Sequence, residues 1–91
     1  MRLFAALALL FALPIAAAPD ANLSAAANSL GLKSFAEEDF AGALVHFQDA
    51  VRLSPEQAEY HNNAGMCLLH MDNPVLALQY FKAAISRRPD L

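Results

Sequence analysis

Apolar residues recur along the chain at helical spacing, and one pattern of residues occurs twice in succession. Segment 24–57 is followed by segment 58–91 in the same register, and five equivalent positions carry the same residue type. The five pairs are Gly31 and Gly65, Ala43 and Ala77, Phe47 and Phe81, Ala50 and Ala84, and Pro55 and Pro89. A period of this length predicts stacked helix pairs, because each pair buries its apolar face only against a neighbour.

Each repeat predicts two helices. The first helix, from about Leu23 to Glu37, places four residues on one face: Ala27, Leu30, Gly31 and Ser34. The second helix carries Phe40, Ala43, Leu44, Phe47 and Val51 on one stripe, and the fourth carries Ala77, Leu78, Phe81, Ala84 and Ile85. Glycine inside a helix costs about 1 kcal/mol relative to alanine. Its recurrence therefore indicates a close approach of two helices, with Phe47 filling the space beside Gly31.

Residues that favour helix starts divide these segments. Asp39 and Asn73 are suitable N-caps for the second and fourth helices. Ser54 is interpreted as a cap for the third helix, with Pro55 in its first turn and Gln57 as a capping-box partner. The third helix is expected to end near His70.

Residues 1–18 have the pattern of a secretory signal peptide. Arg2 precedes the apolar run from Leu3 to Leu13, and Ala16–Ala18 supply small residues for cleavage between positions 17 and 21. The alternative is a retained membrane anchor, but the apolar stretch is shorter than the ~20 residues that span a bilayer. We expect a linker over 19–23 and an exported protein, periplasmic or secreted.

Composition narrows the partner class further. Removing Arg2 with the leader leaves five basic residues against nine acidic ones. This balance argues against nucleic acid, because phosphate binding needs clustered Lys and Arg. The single cysteine, Cys67, cannot form an intrachain disulfide and is interpreted as a small buried residue; pairing with another chain is the alternative.

The repeated Gly, Ala, Phe, Ala and Pro positions, with Leu30 before Gly31 and Phe40 opening the second helix, resemble the tetratricopeptide repeat. The resemblance covers 24–91. It implies an all-α fold of two tandem antiparallel helix pairs, a fragment of an α-solenoid, with repeats at 24–57 and 58–91. Departures occur at Ala27 and His61, at Ser34 and Leu68, and at Pro74, where the family pattern has aromatic residues.

The family resemblance also implies a protein- or peptide-binding groove on the first helix of each pair. The candidate residues form a second stripe that occurs once in each repeat: Asn28, Leu32 and Phe35, then Asn62, Met66 and Leu69, with Glu59 and His70 beside them. The alternative is that this stripe is additional core. Lys33 is the one basic residue on the first helices, which argues against a carboxylate clamp.

The fourth helix carries another apolar face, formed by Val75, Leu76, Tyr80 and Ala83. We expect this open end to be covered by self-association or by a partner. An alternative is that the chain is a piece of a longer repeat protein.

No catalytic or cofactor-binding pattern is present in the sequence. His46, His61, His70 and Cys67 lack the spacing of metal ligands, and no glycine-rich phosphate loop occurs. The leading hypothesis is an exported, non-catalytic adaptor for another protein, without a cofactor. The runner-up is a structural subunit that self-associates through its open end.

Overall fold

The structure, a computed structural model, describes residues 21–88. This part of the chain contains four α-helices and no strand, which confirms the prediction of an all-α fold. The helices are α1 (Ala21–Ala36), α2 (Phe40–Leu53), α3 (Ala58–His70) and α4 (Pro74–Arg87). Helix α1 packs on α2, α2 on α3, and α3 on α4. The predicted signal peptide and Pro89 lie outside the described residues.

The internal repeat is visible in the helix ends. Three pairs of ends fall at equivalent positions of the two repeats: Ala36 and His70, Phe40 and Pro74, and Leu53 and Arg87. The starts of α1 and α3 are not equivalent. Helix α1 begins at Ala21, so the last three residues of the predicted linker are helical instead, because no residue there interrupts the helix.

The turn between α1 and α2 is closed by hydrogen bonds of the Schellman type. The Asp39 amide donates to the Ser34 carbonyl at 2.9 Å, and the Glu38 amide donates to the Phe35 carbonyl at 2.9 Å. Glu38 adopts a left-handed conformation with φ 61°. Asp39 then caps α2, since its carboxylate accepts from the Gly42 amide at 3.0 Å, as predicted.

The turn between α3 and α4 repeats this geometry. The Asn73 amide donates to the Leu68 carbonyl at 2.8 Å, and Asp72 has φ 59°. Asn73 caps α4 through its side-chain oxygen, which accepts from the Leu76 amide at 3.4 Å. Equivalent residues therefore adopt the same backbone conformation in both copies.

The prediction that Ser54 caps α3 is wrong. Helix α3 begins at Ala58, and Gln57 occupies its N-cap position without a side-chain hydrogen bond. Ser54 instead ends α2, and its buried hydroxyl donates to the Ser24 hydroxyl at 2.8 Å. The reason is tertiary, because the end of α2 lies against the start of α1. Pro55 consequently lies in the turn before α3 and not in its first turn.

A glycine faces a phenylalanine ring in both hairpins, as the sequence predicts. A methyl group placed on Gly31 would lie within 3.0 Å of three atoms of the Phe47 ring. The same substitution at Gly65 would meet the Phe81 ring equally closely. These rings occupy the space that a side chain would take, so the paired helices approach closely only because both positions lack one.

The core lies between α2 and α3. Its buried cluster consists of Ala43, Phe47, Ala64 and Cys67, with Phe35, Leu44 and Tyr80 packed against it. The Cys67 side chain is fully buried, as expected for a small apolar residue. Desolvation by burial raises the pKa of its thiol from the ordinary 9.0 to about 11, while a backbone hydrogen bond acts in the opposite direction. The thiol is therefore poorly suited to react as a thiolate.

Three residues assigned to packing stripes are instead about half exposed: Leu30, Leu78 and Ile85. Their periodicity places them on apolar faces, but no described helix covers those faces. Leu30 is exposed on α1, whereas its equivalent, Ala64, is buried against α2. The stripe predictions were therefore correct for the residues between helices and wrong at the two ends of the array.

We predict that Glu38→Gly stabilises the protein by about 0.5–1 kcal/mol. A left-handed backbone conformation costs a residue with a side chain about 1–2 kcal/mol, and glycine avoids this cost. Part of the gain is lost because glycine has more conformational freedom in the unfolded chain. Chemical denaturation monitored by circular dichroism measures the difference. Glu37→Gly is the matched control at a neighbouring position without positive φ, and it should destabilise. Equal destabilisation by both substitutions would contradict the assignment.

Candidate functional site

A cavity of about 240 Å³ lies between α1 and α3. Its lining residues are Leu32, Phe35, Phe47, Asn62, Asn63 and Met66. Four of the eight residues predicted for the groove are thus brought together at one place. We call these six residues the α1–α3 cavity. Leu32 and Met66 lie at its edges, with 48% and 40% of their surfaces exposed, so both remain accessible to a partner.

The floor of the cavity is a core residue. Phe47 is only 1% exposed and packs on Gly31, and it also lines the cavity. The sequence pattern assigned Phe47 to the core alone. Phe47 therefore contributes both to the contact with Gly31 and to the lining of the cavity.

One wall of the cavity is fixed by a hydrogen bond between two helices. The Asn63 amide donates to the side-chain oxygen of Asn28 at 2.8 Å. Asn28 is buried and does not line the cavity itself, so its contribution is to hold α1 against α3. Asn63 was not among the predicted groove residues, because it is equivalent to Ser29 and so falls outside the repeated stripe. The available signal was the resemblance to the tetratricopeptide repeat, in which an asparagine is common at this position.

Three rings form a cluster that shares Phe35 with the cavity. Phe35 makes edge contacts with Phe40 and with His70, with centroids 5.1 Å and 5.2 Å away. The His70 ring stacks on Phe40 with centroids 4.3 Å apart and 11° between the planes. The cluster joins the ends of α1 and α3 to the start of α2 and orients the Phe35 ring, because edge and stacked contacts restrict its rotation.

The other predicted groove residues lie outside the cavity. Glu59 and Leu69 are exposed and line neither of the described cavities. Leu69 is equivalent to Phe35, and Pro74 is equivalent to Phe40. The second repeat therefore lacks the two aromatic rings that are in contact in the first repeat. Lys33 is exposed and does not line the cavity either.

The predicted open end divides into two parts. Val75 is 75% exposed, whereas Leu76, Tyr80 and Ala83 line a cavity of about 300 Å³ together with His61 and Gln79. Tyr80 does not belong to a free outer face: it packs against the α2–α3 core, and its hydroxyl accepts from the Gln48 amide of α2 at 3.2 Å. Tyr80 is thus turned inward, toward the first hairpin.

The buried side chain of His61 makes a structural contact with the turn before α3. Its buried ring points Nε2 at the Pro55 carbonyl, 2.8 Å away. Because a carbonyl oxygen only accepts, Nε2 must carry the proton. Arg87 donates to the same carbonyl from its Nε at 2.5 Å. The turn before α3 is therefore tied to both helices of the second hairpin.

The α1–α3 cavity contains two amides and no ionisable side chain, so it suits an apolar group with a few hydrogen bonds. Within residues 21–88, no three His, Cys, Asp or Glu side chains are grouped as metal ligands would be. Among the described helices, none is long and apolar enough to cross a membrane.

Comparisons of the chain with protein-family models, with curated proteins and with solved structures give no match.

We predict that Asn63→Ala lowers the free energy of unfolding by about 1–3 kcal/mol. The substitution leaves the buried Asn28 oxygen without its donor, and an unsatisfied buried polar group costs about that much. Urea unfolding measures the loss. Asn62→Ala is the matched control, since the neighbouring amide makes no hydrogen bond within the described residues, and it should change stability by less than about 0.5 kcal/mol. Equal losses would remove the bridging function of Asn63.

Proposed function

We propose that the chain is an exported, non-catalytic scaffold of the tetratricopeptide type that binds a segment of another protein in the α1–α3 cavity. The partner would be an envelope or secreted protein that presents an apolar side chain on an extended or helical segment. No cofactor or nucleic acid is involved. Membrane attachment would occur only if residues 1–18 were retained.

Equivalent contacts in the two hairpins support the family assignment. The glycine and phenylalanine pairs, Gly31 with Phe47 and Gly65 with Phe81, meet at the same place in each. Glu38 and Asp72, which are equivalent in the two repeats, share a left-handed conformation. Two sequence repeats that adopt the same turn and the same interhelical contact are the pattern expected for units of one stacked array.

The α1–α3 cavity is the observation that carries the proposal. It combines an aromatic floor with exposed apolar edges at Leu32 and Met66. Its volume of about 240 Å³ is below the ~300–1,000 Å³ typical of small-molecule sites. The cavity therefore fits an anchoring side chain better than a free metabolite.

The energy available from one anchor sets the size of the partner. Burying one Leu or Phe side chain contributes about 1.5–3 kcal/mol, whereas micromolar affinity requires about 8 kcal/mol. A partner must therefore also contact the surface around the cavity. The Asn62 amide, which makes no hydrogen bond within the described residues, is placed to bond a peptide backbone there.

Export is proposed from the leader sequence alone. Arg2, the apolar run from Leu3 to Leu13 and the small residues Ala16–Ala18 match what a signal peptidase requires. The partner would then be found outside the cytoplasm.

We predict that Leu32→Asp weakens peptide binding at least about tenfold. Peptides selected from a random display library against the protein should share an apolar anchor, and a carboxylate at the cavity edge disfavours burying it. Fluorescence anisotropy with a labelled selected peptide measures the dissociation constant.

Leu30→Asp is the matched control for this experiment. Leu30 lies on the same helix with nearly the same exposure, 51% against 48%, but outside the cavity. It should change the dissociation constant by less than about twofold. The proposal would be overturned if the selected peptides bound both variants equally well. It would also be overturned if no peptide with an apolar anchor competed for binding.

A further inference from the structure

Two exposed faces at opposite ends of the helical array are equivalent to the two surfaces that meet inside it. The first face lies on α1 and consists of Ala26, Leu30 and Lys33; we call it the leading face. Its equivalents on α3 are Tyr60, Ala64 and Cys67, which are all buried. Leu30 is 51% exposed, whereas Ala64 is 0% exposed because α3 packs on α2.

The second face lies on α4 and consists of Leu78, Phe81 and Ile85; we call it the trailing face. Leu78 and Ile85 are 50% and 52% exposed. Their equivalents on α2 are Leu44 and Val51, both half-buried. Phe81 is half-buried, whereas its equivalent, Phe47, is 1% exposed inside the cluster formed with Ala64 and Cys67.

We propose that the leading face of one copy of this chain docks on the trailing face of another, in the way that α3 docks on α2. The α2–α3 junction serves as the template, because it shows that a helix carrying these positions packs on a surface of this kind. One chain supplies both complementary surfaces, so the occupant is a second copy. The contact is head-to-tail. A pair of copies therefore keeps a free leading face at one end and a free trailing face at the other.

Lys33 limits the strength of this contact. It stands where the internal junction has the fully buried Cys67. Docking would bring its ammonium group toward apolar surface, and a buried unpaired charge is costly unless the long side chain reaches water. The contact between copies is therefore weaker than the internal junction, and the association is reversible. Lys33→Ala should strengthen it.

The test measures association by sedimentation velocity over a wide range of concentrations, using the protein recovered from expression of the full sequence. Wild type should shift from monomer to larger species as concentration rises, and Lys33→Ala should shift at about tenfold lower concentration. Leu30→Asp and Ile85→Asp should each raise the required concentration at least about tenfold. Circular dichroism confirms that each variant is folded.

Mixing the two weakened variants distinguishes a head-to-tail contact from a symmetric one. Leu30→Asp keeps its trailing face and Ile85→Asp keeps its leading face, so the mixture should form one-to-one pairs that do not grow further. Val45→Asp, at an exposed position on α2, is the matched control and should behave as wild type.

Three results would overturn the proposal: a mixture that stays monomeric, a Val45→Asp variant as defective as the other two, or a Lys33→Ala protein that remains monomeric at every concentration. The outcome is independent of the α1–α3 cavity. Leu32→Asp should leave the association unchanged even where it abolishes peptide binding, so failure of one proposal is distinguishable from failure of the other.

Discussion

The contact between a helical glycine and a phenylalanine ring determines how both hairpins pack. Gly31 gives up helix stability so that Phe47 can lie directly against the backbone of α1, and Gly65 and Phe81 repeat the arrangement. Phe47 is also the largest fully buried side chain of the described residues, in a core otherwise made mostly of alanine. A core with so few large side chains leaves little reserve of stability, so this ring carries a large share of it.

The same contact connects the fold to the proposed function. Phe47, which packs on Gly31, also belongs to the core cluster with Ala64 and Cys67 and lines the α1–α3 cavity. The Asn28–Asn63 hydrogen bond and the contacts of Phe35 with Phe40 and His70 then fix the walls. In the proposed function, binding and folding would share the Phe47 side chain, and a cavity fixed by these contacts would lower the entropic cost of binding a partner.

The local features of the fold could be predicted from the sequence, because local chemistry causes them. Asp39 and Asn73 cap the helices that follow them, and glycine recurrence indicated where a ring would sit. Contacts between distant segments could not be predicted in this way. Serine is a residue type that often caps helices, but the Ser54 hydroxyl donates a hydrogen bond to the hydroxyl of Ser24, which is distant in the sequence. Periodicity likewise identified Leu30 and Ile85 as apolar positions, yet it carries no information on whether another helix covers them.

The internal repeat identified two residues of the candidate site, Leu32 and Met66. It missed Asn63, because the contact of Asn63 with Asn28 depends on how α1 and α3 are placed relative to each other.

A double-mutant cycle on Gly31 and Phe47 tests most directly whether this contact determines the packing. Gly31→Ala alone should destabilise the protein, because overpacking against the ring costs about 1–3 kcal/mol and exceeds the gain of up to about 1 kcal/mol in helix propensity. In a Phe47→Leu background the methyl group has space, so the same substitution should become neutral or stabilising. The two effects of Gly31→Ala on the free energy of unfolding should then differ by at least about 1 kcal/mol. An equal effect in both backgrounds would show that the glycine and the ring do not depend on each other.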